Sequence, residues 1–337
     1  MKIKHIDTNK KVFIVAEIGN NHEGDFELAK ELISLAKEAG ADAVKFQTYK
    51  TKNFISRSEF KRFEMLKSFE LSYKDFRMLS EYAKEKKIIF ISTPLDLESA
   101  VFLNDIADII KIASSDNNFL PLLKVVCLSK RPIIISTGLI DIKDVDKLLA
   151  YILSRTDNTF LNEKLGILHC VTAYPTEYQY VNLNAIKTLK KNFKITVGYS
   201  DHTLGIKASI ASVGVGARII EKHFTKDNNF SDFRDHQISA NPEQFQKMVK
   251  SIRDLEIMLG SGEKVLQYPE KKIISTVRRS IVARCNLKKG VLLTENDINW
   301  VRPGFGIPPD KTMDVIGKRL KEDIEEGQNI LYQHLSD

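Results

Sequence analysis

"KITVGYSDHTLGIKASIASVGVGARIIEKHF", residues 194–224, is the stretch on which the fold turns. It opens on the apolar run KITVGYS (194–200) and closes on RIIEKHF (218–224). Runs that are apolar throughout suit parallel strands buried on both faces. Six more precede them: VFIVAEI (12–18), AVKFQT (43–48), IIFISTP (88–94), IIKIAS (109–114), PIIISTG (132–138) and LGILHCVT (165–172).

Helical patterns fill the gaps. "FELAKELISLAKEAG" (26–40) has apolar residues at helical spacing and ends on Gly40, a C-terminal cap. "YKDFRMLSEYAKEKK", "LPLLKVVCLSK" and "VDKLLAYILSR" follow the same pattern. "NPEQFQKMVKSIRDLEIMLGS" (241–261) opens with an Asn cap and a Pro in the first turn. Eight strand–helix units over residues 1–260 predict an α/β fold, a (β/α)8 barrel. An open doubly wound sheet is the alternative, but "AEIGNNHEG" after the first strand does not fit the GxGxxG fingerprint.

Residues 261–278 read as a linker. Residues 279–337 change character, with turn signals (KKG, RPG, PP) and short β-prone runs. "NLKKGVLL" and "DIEEGQNIL" are two versions of one pattern: a polar pair, Gly, then an apolar run. A small β-rich domain with short helical turns is expected there, holding the only tryptophan, Trp300.

Composition narrows the function classes. Of 337 residues, 43% are apolar and 28% charged, as in soluble globular proteins. No apolar run reaches the ~18 residues of a membrane span, and the N-terminal segment has no signal-peptide cleavage pattern. Cys127, Cys170 and Cys285 are odd in number and widely spaced, which points to free thiols in a reducing cytoplasm. The net charge is +7, but basic residues are mixed with acids, as in "AKEAG" and "AKEKK". A nucleic-acid partner would need a clustered basic face; an anionic small substrate suits this balance equally well.

Active sites of (β/α)8 barrels sit at the C-terminal ends of the strands. The polar residues there are Glu17, Lys45 and Gln47, Thr93, Lys111 with Ser114 and Asp116, Ser136 and Thr137, His169 and Thr172, His202, and His223 with Thr225. A lone lysine near a strand end is ordinarily solvated. Two inside apolar strands, in "AVKFQT" and "IIKIAS", imply a buried partner anion, because a buried unpaired ammonium costs several kcal/mol. With the hydroxyls of Thr93, Ser114 and Ser136 they form a phosphate or carboxylate cradle. His202 and His223 end neighbouring strands and could converge on one cation. Two histidines leave positions for water and substrate, a catalytic rather than a structural pattern. Mn2+, Mg2+, Zn2+ and Fe2+ all fit such a pair; Glu221 and His236 are secondary candidate ligands. An anion cradle beside a divalent cation suits the joining of an anionic donor to a carbonyl acceptor.

The segments "AEIGNNHEGDFELAKELISLAKEAGADAVKFQTYK", "ISTP", "KIASSD", "PIIISTGL", "LHCVTAYPTEY", "GYSDHTLG" and "EKHFTKD" closely resemble the sialic acid (nonulosonate) synthases, which condense phosphoenolpyruvate with an N-acylated amino sugar. The tail "LKKGVLLTENDINWVRPGFGI" resembles their C-terminal antifreeze-like SAF domain. The resemblance covers nearly the whole chain and implies roles at matching positions. Lys45, Thr93, Lys111, Ser114 and Ser136 would hold phosphoenolpyruvate. His202 and His223 would bind Mn2+ or Mg2+, and Glu17 would act as an acid/base or orienting carboxylate. Asp116 stands where the family often has Glu. Tyr174 and Asp235 would contact the sugar. Arg302, in "VRPG", would reach into the partner's barrel of a domain-swapped homodimer.

Three departures lie on the acceptor side. Thr172 stands where many relatives have a sugar-contacting Asn, Arg234 in "FSDFRDHQISANP" replaces a proline, and Asp116 is one methylene short. The acceptor is therefore open between N-acetylmannosamine, a 2,4-diacetamido-trideoxy hexose and a further related sugar. Two other classes compete: a Schiff-base aldolase using Lys45 or Lys111, and a non-catalytic carbohydrate-binding protein.

Overall fold

The computed structural model describes residues 1–336, which open with a short antiparallel hairpin, β1 (Lys2–Ile3) and β2 (Ile6–Asp7). Eight strands follow: β3 (Phe13–Gly19), β4 (Ala43–Thr48), β5 (Ile89–Pro94), β6 (Ile109–Ile112), β7 (Ile133–Ser136), β8 (Leu165–Cys170), β9 (Thr196–Asp201) and β10 (Ile219–His223). All pair in parallel with their sequence neighbours, and β10 closes on β3, so the sheet is a closed (β/α)8 barrel. Each strand lies within two residues of its predicted start.

The helices wrap the barrel for local reasons that can be named. The helix Phe26–Glu38 starts where the Asp25 carboxylate accepts a bond from the Leu28 N–H, and it buries Ala29, Leu32, Ile33 and Ala36. Asn241 and Gln244 form a reciprocal capping box at the start of Pro242–Leu259. Among the helices not anticipated are Thr51–Phe54 and Phe60–Phe69. They fill the long connection after β4, and each buries only one residue, so their apolar period is weak.

The barrel interior divides in two. Below the strand ends, Phe13, Val15, Ile89, Ile91, Ile109, Ile134, Leu168 and Ile219 form an apolar cluster. The hairpin joins it from beneath through Met1, Ile3 and Ile6, all nearly fully buried. Above this layer the inward residues are polar.

The chain forms two compact units, Met1–Gly260 and a second from Ser261 onward. The expected linker carries a helix, Tyr268–Val277, started by Pro269 and a Gln267–Glu270 box; none of its residues is buried, so no apolar face betrayed it. The rest of this unit is β-rich. Strands β11 (Ser280–Ala283) and β12 (Ile298–Val301) pair antiparallel, as do β13 (Arg319–Leu320) and β14 (Leu335–Ser336), around Ile281, Leu293, Ile298, Val315 and Ile330. The two "polar pair–Gly" copies face each other: Leu287 and Ile324 exchange backbone bonds of 2.8 and 2.9 Å. Their turn glycines, Gly290 and Gly327, have φ of +85° and +78°, a region that suits glycine.

Candidate active site

One cavity of about 470 Å³ opens over the C-terminal ends of the barrel strands. Its wall includes Glu17, Lys45, Gln47, Thr93, Lys111, Ser114, Ser136, Thr172, Tyr174, His202, His223 and Asp235. Two predicted site residues are not on that wall. Asp116 sits in the 3-10 turn Ser114–Asp116 and accepts a 2.9 Å bond from Ser115, a residue of the cavity wall. Arg302 is exposed and follows β12 in the second unit. His169 and Thr137 point away from the cavity: the His169 ring bonds the Val181 carbonyl at 2.8 Å, and the Thr137 hydroxyl donates to the Leu168 carbonyl. His236 is tied to Thr225 (2.6 Å) and Glu23 (3.2 Å) rather than to the histidine pair.

The floor is a buried box of charges. Lys45 lies 2.9 Å from Glu221 and 3.3 Å from Glu17; Lys111 lies 3.7 Å from Glu221 and donates a 2.7 Å bond to Ser136. Both lysines are at most 5% exposed. The sequence required a buried partner anion, and Glu221 is that partner. Ser200 donates to the same carboxylate at 2.9 Å. Burial opposes charge on Glu221, but Lys111 and Lys45 outweigh it and hold the carboxyl down at about 2. Glu17 shows the reverse balance: burial dominates over Lys45, with Glu221 adding repulsion, and its carboxyl is pushed up to about 7. Burial likewise brings Lys111 down to about 8 despite Glu221. On Lys45 the two carboxylates overcome burial and raise it. The box therefore holds a carboxyl that can exchange a proton near neutrality beside a fixed carboxylate.

Around the box stand polar atoms aimed at the cavity. Thr93 Oγ1 and His223 Nδ1 are buried without a hydrogen-bond partner among the described residues, and Glu17 Oε2 has only the Lys45 ammonium at 3.3 Å beside it. Buried polar groups ordinarily have partners, and these three line the cavity, where a ligand would reach them. Gly138 keeps the space beside Ser114 open. Its amide donates to Ser114 Oγ at 3.1 Å, and a Cβ there would lie 2.7 Å from Ser114 Oγ and 2.4 Å from Thr172 Oγ1.

The histidine pair follows from strand register. Glu221 faces Ser200 and Lys222 faces Asp201, so the next inward residues are His202 and His223. Their ring centroids are 5.6 Å apart. His202 Nδ1 lies 2.9 Å from the Val171 carbonyl, which fixes the tautomer and leaves Nε2 free. Burial holds His223 well below its ordinary value, hence neutral, the form that ligates. Burial also opposes a proton on His202, but Cys170 and the Val171 carbonyl outweigh it. The free His202 Nε2 and the unpartnered His223 Nδ1 fit a divalent cation, which His202 binds on giving up its proton. Among the described residues no group of three His, Cys, Asp or Glu closes around one ion, so further positions would fall to water and substrate.

The outer wall was largely invisible in the sequence. Phe54, Arg62, Met65 and Leu66 come from the unanticipated helices, and Phe233 and Arg234 from the segment after β10. The Arg234 guanidinium lies 4.6 Å over the Tyr174 ring and 3.4 Å from Asp235; Tyr174 itself lies 4.2 Å from the His202 ring. The signal was the length of the connection after β4, since long strand–helix loops at this barrel face build sites.

A closed parallel barrel with a buried lysine pair and converging histidines at its C-terminal face defines a (β/α)8 enzyme acting on a small anionic substrate. The chain belongs to the NeuB family, matched over residues 32–264, and carries a SAF domain over residues 278–336. It is 46% identical over 334 residues to an uncharacterised protein of Methanocaldococcus jannaschii, covering 98% of this chain and 97% of that one. It is 41% identical over 347 residues to the N,N'-diacetyllegionaminic acid synthase of Legionella pneumophila (99% and 97%). Among solved structures it resembles the N-acetylneuraminic acid synthetase of Leptospira borgpetersenii serovar Hardjo-bovis in complex with citrate, with TM-score 0.76 and 33% identity over 81% of this chain and 94% of that one.

Proposed function

We propose that this chain condenses phosphoenolpyruvate with an N-acylated amino sugar to give a nine-carbon 2-keto sugar acid and phosphate. The observation that carries this reading is the buried Lys45–Glu221–Lys111 box beside His202 and His223 in one cavity. Phosphoenolpyruvate has two anionic groups, and the cavity offers two ammonium groups with the hydroxyls of Thr93, Ser114 and Ser136 around them. His202 and His223 would hold a divalent cation, Mn2+ or Mg2+, which when bound supplies polarisation of the acceptor's aldehyde.

The open-chain aldehyde carbon is attacked by C3 of phosphoenolpyruvate, forming the new C–C bond and leaving an oxocarbenium centre at C2. Water adds at C2 and gives up a proton. The C2–O bond to phosphate then breaks, and the keto acid closes to its ring. Glu17, with its carboxyl near 7 and 3.3 Å from Lys45, is placed to hold or deliver the proton that moves between water, alkoxide and phosphate.

The favoured acceptor is a 2,4-diacetamido-trideoxy hexose. The Legionella relative at 41% identity is named for a diacetylated product. The outer wall also presents Phe54, Met65, Leu66, Leu95 and Phe233, apolar surfaces that suit acetamido and C6 methyl groups better than a chain of hydroxyls. Tyr174, Thr172, Asp235 and Arg234 complete the acceptor side. Asp116 would act there through the bond it accepts from Ser115 and through its charge near Lys111. A domain-swapped homodimer in which Arg302 reaches the partner's cavity, and a cytoplasmic location, belong to the same proposal. No helix of the described residues is long and apolar enough to cross a membrane.

The test is phosphate release from phosphoenolpyruvate with Mn2+ present, comparing N-acetylmannosamine with 2,4-diacetamido-2,4,6-trideoxy hexoses. Faster release with the diacetamido sugar supports the assignment. Preference for N-acetylmannosamine overturns the acceptor. Release with neither, together with borohydride trapping of a lysine adduct, would instead favour Lys111 as an aldolase nucleophile.

A further inference from the structure

Directly behind the histidine pair, on the outer side of the barrel wall, lies a second buried ion pair that the chemistry above does not use. Asp201 precedes His202 and Lys222 precedes His223. The two face each other in the β9–β10 register, and their side chains are fully buried, with Lys222 Nζ 3.5 Å from Asp201 Oδ2. Both sit between the strands and the helix Lys207–Gly214, whose Ser209 donates a 2.6 Å bond to Asp201 Oδ2. Asp201 Oδ1 accepts from the Thr203 amide at 2.8 Å, and the Lys222 ammonium donates to the Thr203 carbonyl.

Thr203 is thus held by both of its backbone polar groups, one from each member of the pair. His202 lies between the two anchored residues, Asp201 and Thr203, at the point where β9 ends and the chain turns into a loop. His202 is also held directly, its carbonyl accepting from the Thr176 amide at 2.9 Å and its ring lying 2.9 Å from the Val171 carbonyl, so the pair fixes the backbone direction on either side of those contacts. His223 needs no such loop anchor, because it remains within β10 and pairs with Glu17 of β3. A strand alternates its side chains, so locking Asp201 outward against Lys222 forces His202 inward, level with His223.

Resting on the two-histidine cation site proposed above, we propose that the buried Asp201–Lys222 pair is a positioning clamp that sets the separation of His202 and His223 and thereby the affinity of the site for its divalent cation. Neither residue reaches the cavity, so neither touches substrate or ion. An ion pair taken fully out of water is weak support for stability compared with apolar residues of similar volume, which leaves register and orientation as what it contributes here. Partners that orient metal ligands typically change metal affinity by about 10–100-fold when removed.

The experiment uses the full chain and reads Mn2+ binding directly, by loss of the free-ion electron paramagnetic resonance signal. Phosphoenolpyruvate binding is measured in parallel without metal, by calorimetry. The variants are Asp201→Asn, Lys222→Met, and the double variant Asp201→Asn/Lys222→Met, which leaves no unpaired buried charge and guards against loss of folding. His202→Ala is the control. The expected result is Mn2+ affinity at least tenfold weaker in the double variant, with phosphoenolpyruvate affinity within twofold of the parent. Equal loss of both affinities would mean a general structural role and overturn the clamp. Parent-like Mn2+ binding in the double variant, with binding lost in His202→Ala, would overturn the clamp while the histidine site stands. Absence of Mn2+ binding in the parent itself would remove the histidine site and the clamp with it.

Discussion

Glu221→Gln is the perturbation that most directly tests the charge box. The carboxylate lies 2.9 Å from Lys45 and 3.7 Å from Lys111. At an effective dielectric constant near 20 those separations correspond to about 6 and about 4.5 kcal/mol of gross attraction. Neutralising the group also relieves the cost of burying it, several kcal/mol per ion, so removing one partner of a buried pair nets about 3–5 kcal/mol of destabilisation. For a unit of this size that is a fall in midpoint of roughly 6–20 °C. Glutamine keeps the shape and the Ser200 contact, so a cavity makes no contribution. The second half of the expectation concerns ligand. In the parent, Glu221 repels an incoming trianion; in the variant, phosphoenolpyruvate itself becomes the counter-charge for both lysines. Its upward shift of the thermal midpoint, followed by circular dichroism, should therefore be larger in Glu221→Gln than in the parent. An unchanged midpoint without ligand, or an equal or smaller ligand-induced shift, would refute the charge-box account and leave Glu221 as a space-filling residue.

Two further outcomes follow from the same geometry. Lys111 is held down to about 8 by burial, and the charges of phosphoenolpyruvate oppose that, so ligand binding at pH 8–9 should take up protons. Calorimetry in buffers of different ionisation enthalpy reads this uptake, which should persist in Glu17→Gln and fade by pH 6.5 in that variant; uptake that vanishes in Glu17→Gln at pH 8.5 would assign it to the carboxyl instead. Gly138→Ala places a methyl 2.4 Å from Thr172 Oγ1 and 2.7 Å from Ser114 Oγ, so both hydroxyls must move. Turnover should fall at least tenfold with the thermal midpoint nearly kept, and full activity would show that these hydroxyls do not set the cavity floor.

The barrel was legible because each of its strands is apolar on both faces and bounded by turn residues, a signal that survives without knowing any partner. The same property hid which strand-end residues face inward. In "LGILHCVT" nothing alternates, so His169 read as a site residue, whereas Leu168 faces the interior and His169 turns outward to Val181. Glu221 was seen only as a secondary metal ligand because its role depends on Lys45 and Lys111, far away in sequence and brought together only by closure of the barrel. The N-terminal hairpin escaped because its two-residue strands are too short for any period to show. The outer wall escaped because helices that bury one residue each carry almost no pattern.

The hairpin beneath the barrel has a consequence for traffic. With Met1, Ile3 and Ile6 packed under the apolar layer, the interior is a well with one mouth rather than a passage. Lys45 and Lys111 are at its bottom, while Tyr174, Phe233 and the largely exposed Arg234 stand at the rim. Molecules in such a well are stacked. Whatever rests on the lysines must arrive before anything seated at the rim, so the order of binding is written into the stopper at the far end of the barrel.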